Sequence, residues 1–314
     1  MKVVITGGAG FIGANLGREL LSRPEIGDVV ALDNLSTGVR ENLEGTGIRL
    51  LEGSILDPAA LDEACHGADA IVHLAARPSV PRSIIDPLAS HHHNATGTLE
   101  VLQAARRAGD VHVIAASSSS LYGANRELPK RESMRTAPIS PYAVSKQATE
   151  SYTLAFGHTY GLPVLAFRFF NVYGPLQPAG HAYAAVVPAF VDAALRGVPL
   201  PVHGDGEQTR DFTYIGTVTR VIADALMRHV TDLDPVNLAF GSRTSLNRLV
   251  AHLSDILGHQ LTADHVEPRA GDVRDSQADN ARLRGHFPGV TAVPLDDGLR
   301  ATVDWFRSLP DYQG

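Results

Sequence analysis

The sequence predicts a doubly wound parallel α/β sheet followed by a smaller α/β portion. Two observations carry that prediction. Short β-branched runs alternate with longer helical stretches through the first half, and a glycine cluster follows the first run directly. The runs Val3–Thr6, Asp28–Leu32, Ile48–Glu52, Ala70–Leu74, Val111–Ala116 and Val164–Phe169 read as buried strands. Between them, Phe11–Ser22, Ala59–Ala64, Leu88–Ala108 and Pro141–Tyr160 read as helices. Near-continuous apolar strands of this kind belong to parallel sheets covered on both faces. After Gly174 the rhythm changes. Helical stretches at Ala184–Arg196, Gly216–Arg228 and Ser245–Leu257 are set between loops rich in proline and glycine. The expected division is residues 1–174 for a dinucleotide-binding domain and 175–314 mainly for substrate, with a soft boundary that leaves room for chain to cross back.

Bulk properties narrow the function classes. A chain of 314 residues that is 44% hydrophobic and 19% charged can bury a large core and is not a disordered segment. A formal net charge of -7 speaks against nucleic acid or an anionic membrane as the main partner. Cys65 is the single cysteine, so nothing requires an oxidising compartment. MKVVITGG runs straight into a glycine turn, unlike a secretory leader, and no stretch of about 18 apolar residues appears. A cytoplasmic location is expected.

Gly7, Gly10 and Gly13 have the spacing G-x-x-G-x-x-G at the junction of the first strand and first helix. Glycine there permits a tight turn and lets the backbone approach a pyrophosphate, which the helix N-terminus then holds through free N–H groups. Glycine spacing alone is weak evidence. Asp33, at the end of the second strand, adds a carboxylate that can bind ribose hydroxyls and repel a 2′-phosphate, which selects NAD over NADP.

Two further features fall where ligands of such sheets bind. Ser117–Ser120 follow the fifth strand, and Tyr142 and Lys146 lie four apart on one helix face. Tyrosine is a weak base at its usual pKa near 10, and a nearby ammonium would draw it down. The expected catalytic set is therefore Ser118, Tyr142 and Lys146, with Ser118 on the reacting oxygen. His91-His92-His93 reads as a solvated helix start and not a metal site, because adjacent helical histidines diverge; no metal is expected.

With these motifs in view, the chain resembles an extended short-chain dehydrogenase/reductase of the NAD-dependent nucleotide-sugar epimerase/dehydratase family. TGGAGFIG, ALDNLSTG, HLAA, SSSSLYG, PYAVSK, RFFNVYGP, GDGEQTRDF and PRAGD carry the likeness across essentially the whole length. It is most similar to UDP-sugar 4-epimerases acting on UDP-glucose, UDP-GlcNAc or UDP-glucuronate. The resemblance implies a Rossmann fold, bound NAD, a UDP-sugar substrate and a homodimer paired through the helices Leu88–Ala108 and Pro141–Tyr160. It implies cofactor contacts from Gly7, Gly10, Phe11, Ile12, Gly13, Asp33, Asn34, Ser36, Thr37, Gly38, Ser54, Ile55, Leu74, Ala75, Ala76, Arg77 and Asn94, besides Tyr142 and Lys146. Substrate contacts are implied for Ser118, Ser119, Ser120, Asn171, Val187, Arg210, Arg269, Asp272 and Ser276.

Five positions refine this. Ser54 stands where the family often has an acid on the adenine, and Arg77 where it often has Lys or Gln. Ser119 and Ser120 occupy positions where related dehydratases carry an Asp-Glu pair and decarboxylases a Glu. Hydroxyls do not perform that acid/base work, so epimerisation is expected ahead of the lyase alternatives. Ser276 matches a gate whose small size leaves room for a substituent on the sugar.

Overall fold

The computed structural model describes residues 1–179, 184–267 and 273–313. Its centre is a seven-stranded, wholly parallel sheet in the order β11-β6-β5-β4-β1-β2-β3. In chain order these are β1 (Lys2–Thr6), β2 (Asp28–Asp33), β3 (Arg49–Glu52), β4 (Ala70–His73), β5 (His112–Ser118) and β6 (Val164–Phe169), joined by the late β11 (Val236–Leu238). Val3, Val4 and Ile5 of β1 are fully buried, as a central strand covered on both faces requires. The strand order reverses between β1 and β4, the switch point where such sheets bind ligands.

Two cores sandwich the sheet. One side is covered by α1 (Phe11–Leu21) and α8 (Ile215–Met227), whose Leu16, Leu20, Val218 and Ile222 are buried together. The other is covered by α2 (Pro58–Cys65), α5 (Gly97–Arg107) and α6 (Pro141–Tyr160), through residues such as Leu61, Leu102 and Phe156. A third core gathers α7 (Val186–Leu195), α9 (Leu246–Leu257) and α11 (Leu295–Ser308) around Phe190, Leu249 and Phe306. Between these lie the short strands β7 (Asn171–Tyr173), β8 (Leu200–His203), β9 (Thr209–Arg210), β10 (Phe212–Tyr214), β12 (Thr244–Ser245) and β13 (Ala263–Val266), and the helix α10 (Ala281–His286). No described helix is long and apolar enough to cross a membrane.

Helix α6 shows why the sequence was legible where it was. Ser140 caps it by accepting from the Ala143 N–H at 3.2 Å, Pro141 occupies its first turn, and Gly161 closes it at φ +71°. The expected helix Leu88–Ala108 is less regular. It runs as α4 (Pro87–His91), a π-turn at His92–Thr96, and α5. The hydroxyls of Thr98 and Thr149 both donate to the Asn94 carbonyl, at 2.5 and 2.9 Å, in the middle of that turn. The six-residue α3 (Val80–Ile85), capped by Ser79, has no periodic signature and was not expected.

Beyond residue 174 the chain does cross back. Helix α8 and strand β11 belong to the main sheet and its core, and β11 is only three residues long, too short to read in advance. Phe167 of β6 is fully buried, with its ring 5.9 Å from that of Phe287 beyond α10. Phe167→Ala leaves a cavity at this seam and is expected to cost about 3–5 kcal/mol of unfolding free energy. Urea titration with an unchanged m-value would check it; a loss under 1 kcal/mol (about the cost of an exposed site) would show the seam is loosely packed.

Candidate active site

The glycine turn is shaped by close backbone approach. Gly7 sits at φ +71°, and a Cβ there would lie 2.8 Å from backbone atoms of Ala75 in the loop after β4. A Cβ on Gly13 would collide with the Gly7 carbonyl. Gly10 precedes α1 with no side-chain cap, and no acidic residue lies in the first turn. The leading N–H groups of Phe11, Ile12 and Gly13 therefore form an open, positively polarised helix end.

Asp33 closes β2 beside this turn. Its carboxylate accepts from the N–H of Ala9 at 3.0 Å and of Leu35 at 2.8 Å. Burial pushes its pKa up, and these two hydrogen bonds oppose that. The loop through Asn34, Ser36, Thr37 and Gly38 curls around it so tightly that a Cβ at Gly38 would lie 2.7 Å from both carboxylate oxygens. The Ser54 hydroxyl accepts from Leu56 N–H at 3.1 Å, and Ile55 is buried against Gly97. Ser36, Thr37, Ala76 and Arg77 line one cleft together with Arg82, Ile85 and His93. An open helix N-terminus, glycines where side chains would collide, and a carboxylate at the strand end fit a dinucleotide without adjustment.

Asn94 is tied to the loop after β4. It is buried, and its side chain is engaged within the protein: Oδ1 accepts from Arg77 N–H at 2.7 Å, and Nδ2 donates to Ser145 Oγ at 2.9 Å and to the Arg77 carbonyl at 3.3 Å. Its amide fixes the loop that carries Ala75, Ala76 and Arg77. Arg77 itself pairs with Asp86 at 3.0 Å.

The strand ends of β4 and β5 meet α6 on the far side of the turn. Ser118 ends β5 near enough to the Tyr142 phenol to favour its charged form, while Lys146 lies buried one helical turn further on. Burial pushes the phenol above its ordinary pKa, against the effect of Ser118, and also brings the Lys146 ammonium down to about 8. Desolvation dominates both groups because each is enclosed, so the lysine charge alone does not acidify the phenol.

A chain of hydroxyls frames this pair. His73 on β4 is hydrogen-bonded through Nδ1 to Thr6 at 2.8 Å and through Nε2 to Thr98 at 3.0 Å. With Thr98 donating to Asn94, His73 carries its proton on Nε2. Burial, reinforced by the nearby Lys146 charge, holds its pKa down to about 3, so it stays neutral. Sequence reading passed over His73 and Thr98, since neither belongs to a glycine or Tyr/Lys pattern.

A second cleft, with about 830 Å³ of open space, lies between the sheet and the third core. Asn171, Val187 and Arg210 line it, as do Tyr173, Gln177, His203 and Gln208, which the sequence had not singled out. Arg210 donates to the carbonyls of Thr209 and Arg274 at 2.9 and 3.0 Å. The adjacent Asp211 is fully buried and accepts from Gly241, Ser242 and Ala278, which fixes the backbone carrying Arg210. Ser276 is held beside it through its N–H on the Thr209 carbonyl at 3.1 Å. Ser120 follows Ser118 in a short 3-10 turn, where its hydroxyl is buried without a partner among the described residues. Arg269 and Asp272 lie outside the described residues.

A dinucleotide cradle beside a Ser/Tyr/Lys set, facing a cleft with arginine, defines a nicotinamide-dependent enzyme of the short-chain dehydrogenase/reductase type. The profile of the NAD dependent epimerase/dehydratase family matches residues 3–239. The chain belongs to that family. It is 34% identical to a UDP-glucose 4-epimerase of Mycolicibacterium smegmatis over 317 residues, covering 98% of this chain and 99% of the relative. Its fold is similar to that of UDP-N-acetylglucosamine 4-epimerase from Methanobrevibacter ruminantium, solved with UDP-N-acetylmuramic acid, at a TM-score of 0.91 and 34% identity over 98% of each chain. UDP-glucose 4-epimerase from Thermotoga maritima, solved with UDP-glucose, gives a TM-score of 0.91 and 34% identity over 98% of this chain and 99% of that one.

Gly13→Ala is expected to abolish NAD retention, because the new methyl and the Gly7 carbonyl cannot both keep their places. Titration calorimetry on the purified variant should find affinity reduced at least about tenfold, a loss of about 1.4 kcal/mol. Unchanged affinity would place the cofactor elsewhere.

Proposed function

We propose that the chain is an NAD-dependent 4-epimerase of a UDP-hexose, inverting C4 through a transient 4-keto sugar with no change of mass. The observation that carries this is the placement of Tyr142 and the buried Lys146, one turn apart on α6, at the Ser118 end of β5 beside the glycine turn. Bound NAD would supply reversible hydride acceptance at a positively charged ring, held by Gly7, Gly10, Phe11, Ile12, Gly13 and Asp33.

Tyr142 takes the proton from the sugar O4 and later returns it. Its phenol starts above the ordinary pKa, so its ionisation depends on positive charge gathered around it, of which Lys146 is the protein's share. Ser118 orients O4 toward the phenol. Asn171 and Arg210 hold the diphosphate, with Arg269 and Asp272 assigned to the diphosphate and uridine ribose; Arg suits phosphate through its planar fork. Val187 borders the nucleotide, and Ser276 leaves space at the sugar. A lyase reading asks for a carboxyl where this chain has Ser119 and Ser120.

The homodimer is part of the same proposal. Ile85 and Leu88 are 72% and 71% exposed, and Val144 is 54% exposed on the adjacent α6. A second copy packed on these helices would cover them. Sedimentation at micromolar concentration should give twice the 33.4 kDa chain mass, and a mass of one chain would overturn it.

Incubation with UDP-glucose, UDP-N-acetylglucosamine and UDP-glucuronate in turn is expected to give C4 inversion on at least one, at unchanged mass. Release of water or carbon dioxide would replace the epimerase reading by a lyase. Tyr142→Phe should lower kcat by about 10²–10⁴-fold with little change in KM; a variant within twofold of the parent would remove Tyr142 from the chemistry.

A further inference from the structure

We propose that Glu150 is a positioning residue of this site: its carboxylate, clamped by Arg168 and Ser117, keeps Lys146 an ammonium and holds the Ser118 end of β5 against α6. The inference rests on the Tyr/Lys reading above.

Lys146 and Glu150 lie four apart on α6, hence on one face, and are only 4% and 6% exposed. Charged side chains are rarely buried to this degree unless they are paired. Glu150 is held in a two-pronged grip: Arg168 Nε donates to Oε2 at 2.9 Å and Nη2 to Oε1 at 2.7 Å. Ser117 Oγ donates to Oε2 at 2.8 Å, so the residue next to Ser118 is tied to the helix that bears Tyr142. Arg168 is fixed from behind by the Tyr122 hydroxyl at 2.8 Å, which donates in turn to Asn237 at 2.7 Å.

An isolated Arg–Glu pair would be a neutral structural clasp. This one lies one turn from a second buried cation. The charged or titratable groups that act on Lys146 or feel its charge are Glu150 on its own helix and the neutral imidazole of His73 from β4, with the Tyr142 phenol one turn back on α6. Glu150 is the carboxylate whose charge acts on Lys146, raising its pKa against burial. Arg168 cannot give up its proton. If Glu150 loses its charge, Lys146 and Arg168 each lose the carboxylate that acts on them in a buried setting, and Lys146 is the one able to deprotonate.

The test uses the cofactor-free chain labelled with 13C-lysine, following the Cε shift of Lys146, identified by its loss in Lys146→Met. In Glu150→Gln the titration midpoint is expected to fall by about one pH unit or more, and in Glu150→Asp to stay near the parent. A double variant, Glu150→Gln with Arg168→Met, removes both buried ions and keeps the test available if the single variant does not fold; its midpoint should lie between the two. In the loaded enzyme, activity that needs the ammonium falls as pH rises through the Lys146 pKa, so the alkaline limb of kcat should move to lower pH in Glu150→Gln. A Cε midpoint in both Gln variants equal to the parent's would overturn the proposal. The Cε titration involves no sugar, so a parent that epimerises nothing would sink the functional reading and leave the Glu150 result standing.

Discussion

The site depends on how helix α6 is seated against the ends of β4 and β5. Those strand ends and the helix start are distant in sequence, yet Ser118 must come within hydrogen-bonding reach of Tyr142. Apolar packing from Phe156 and the second core brings the helix to the sheet, but such packing is non-directional and tolerates small shifts. Register comes from the polar contacts: Thr149 on the Asn94 carbonyl, Asn94 on Ser145, and Ser117 on Glu150. Each buried donor or acceptor left unmatched would cost about 1–3 kcal/mol, so a slipped helix would break several such bonds at once. The lattice therefore specifies position more than it adds stability.

That arrangement also explains the protonation pattern. The interior next to the Ser/Tyr/Lys set holds two cations, one anion and a neutral histidine. Burial works against every charge in it, lowering Lys146 and His73 and raising Tyr142. A phenol in such surroundings is a reluctant base until further positive charge arrives.

Much of this was legible from residues that enforce local geometry. Gly7 and Gly13 announce a turn with no space for side chains, and Ser140-Pro141 and Gly161 mark both ends of α6. Asp33, Ser118, Tyr142 and Lys146 could be placed because each follows such a marker. What escaped notice depends on contacts between distant segments. His73 and Thr98 are an unremarkable strand residue and helix residue until the His73 ring bridges Thr6 and Thr98. The π-turn around Asn94 depends on hydroxyls from two different helices. Strand β11 has three residues, too few for a period, and exists because β6 offers it an edge. Gln177 and Gln208 enter the second cleft from loops and His203 from the end of β8, and no spacing along the chain links them.

The position of β11 has a consequence for the wholeness of the molecule. The strand that finishes the sheet is made after most of the segment that borders the second cleft, and α8, arriving with it, covers the face that α1 leaves bare. A fragment ending near residue 174 would expose the β6 edge and the apolar surface of the first core, inviting association with other chains. The two portions are thus one cooperative unit, in which the halves cannot be separated at the point where the sequence rhythm changes. During synthesis the cofactor half waits, unfinished, for chain that emerges later.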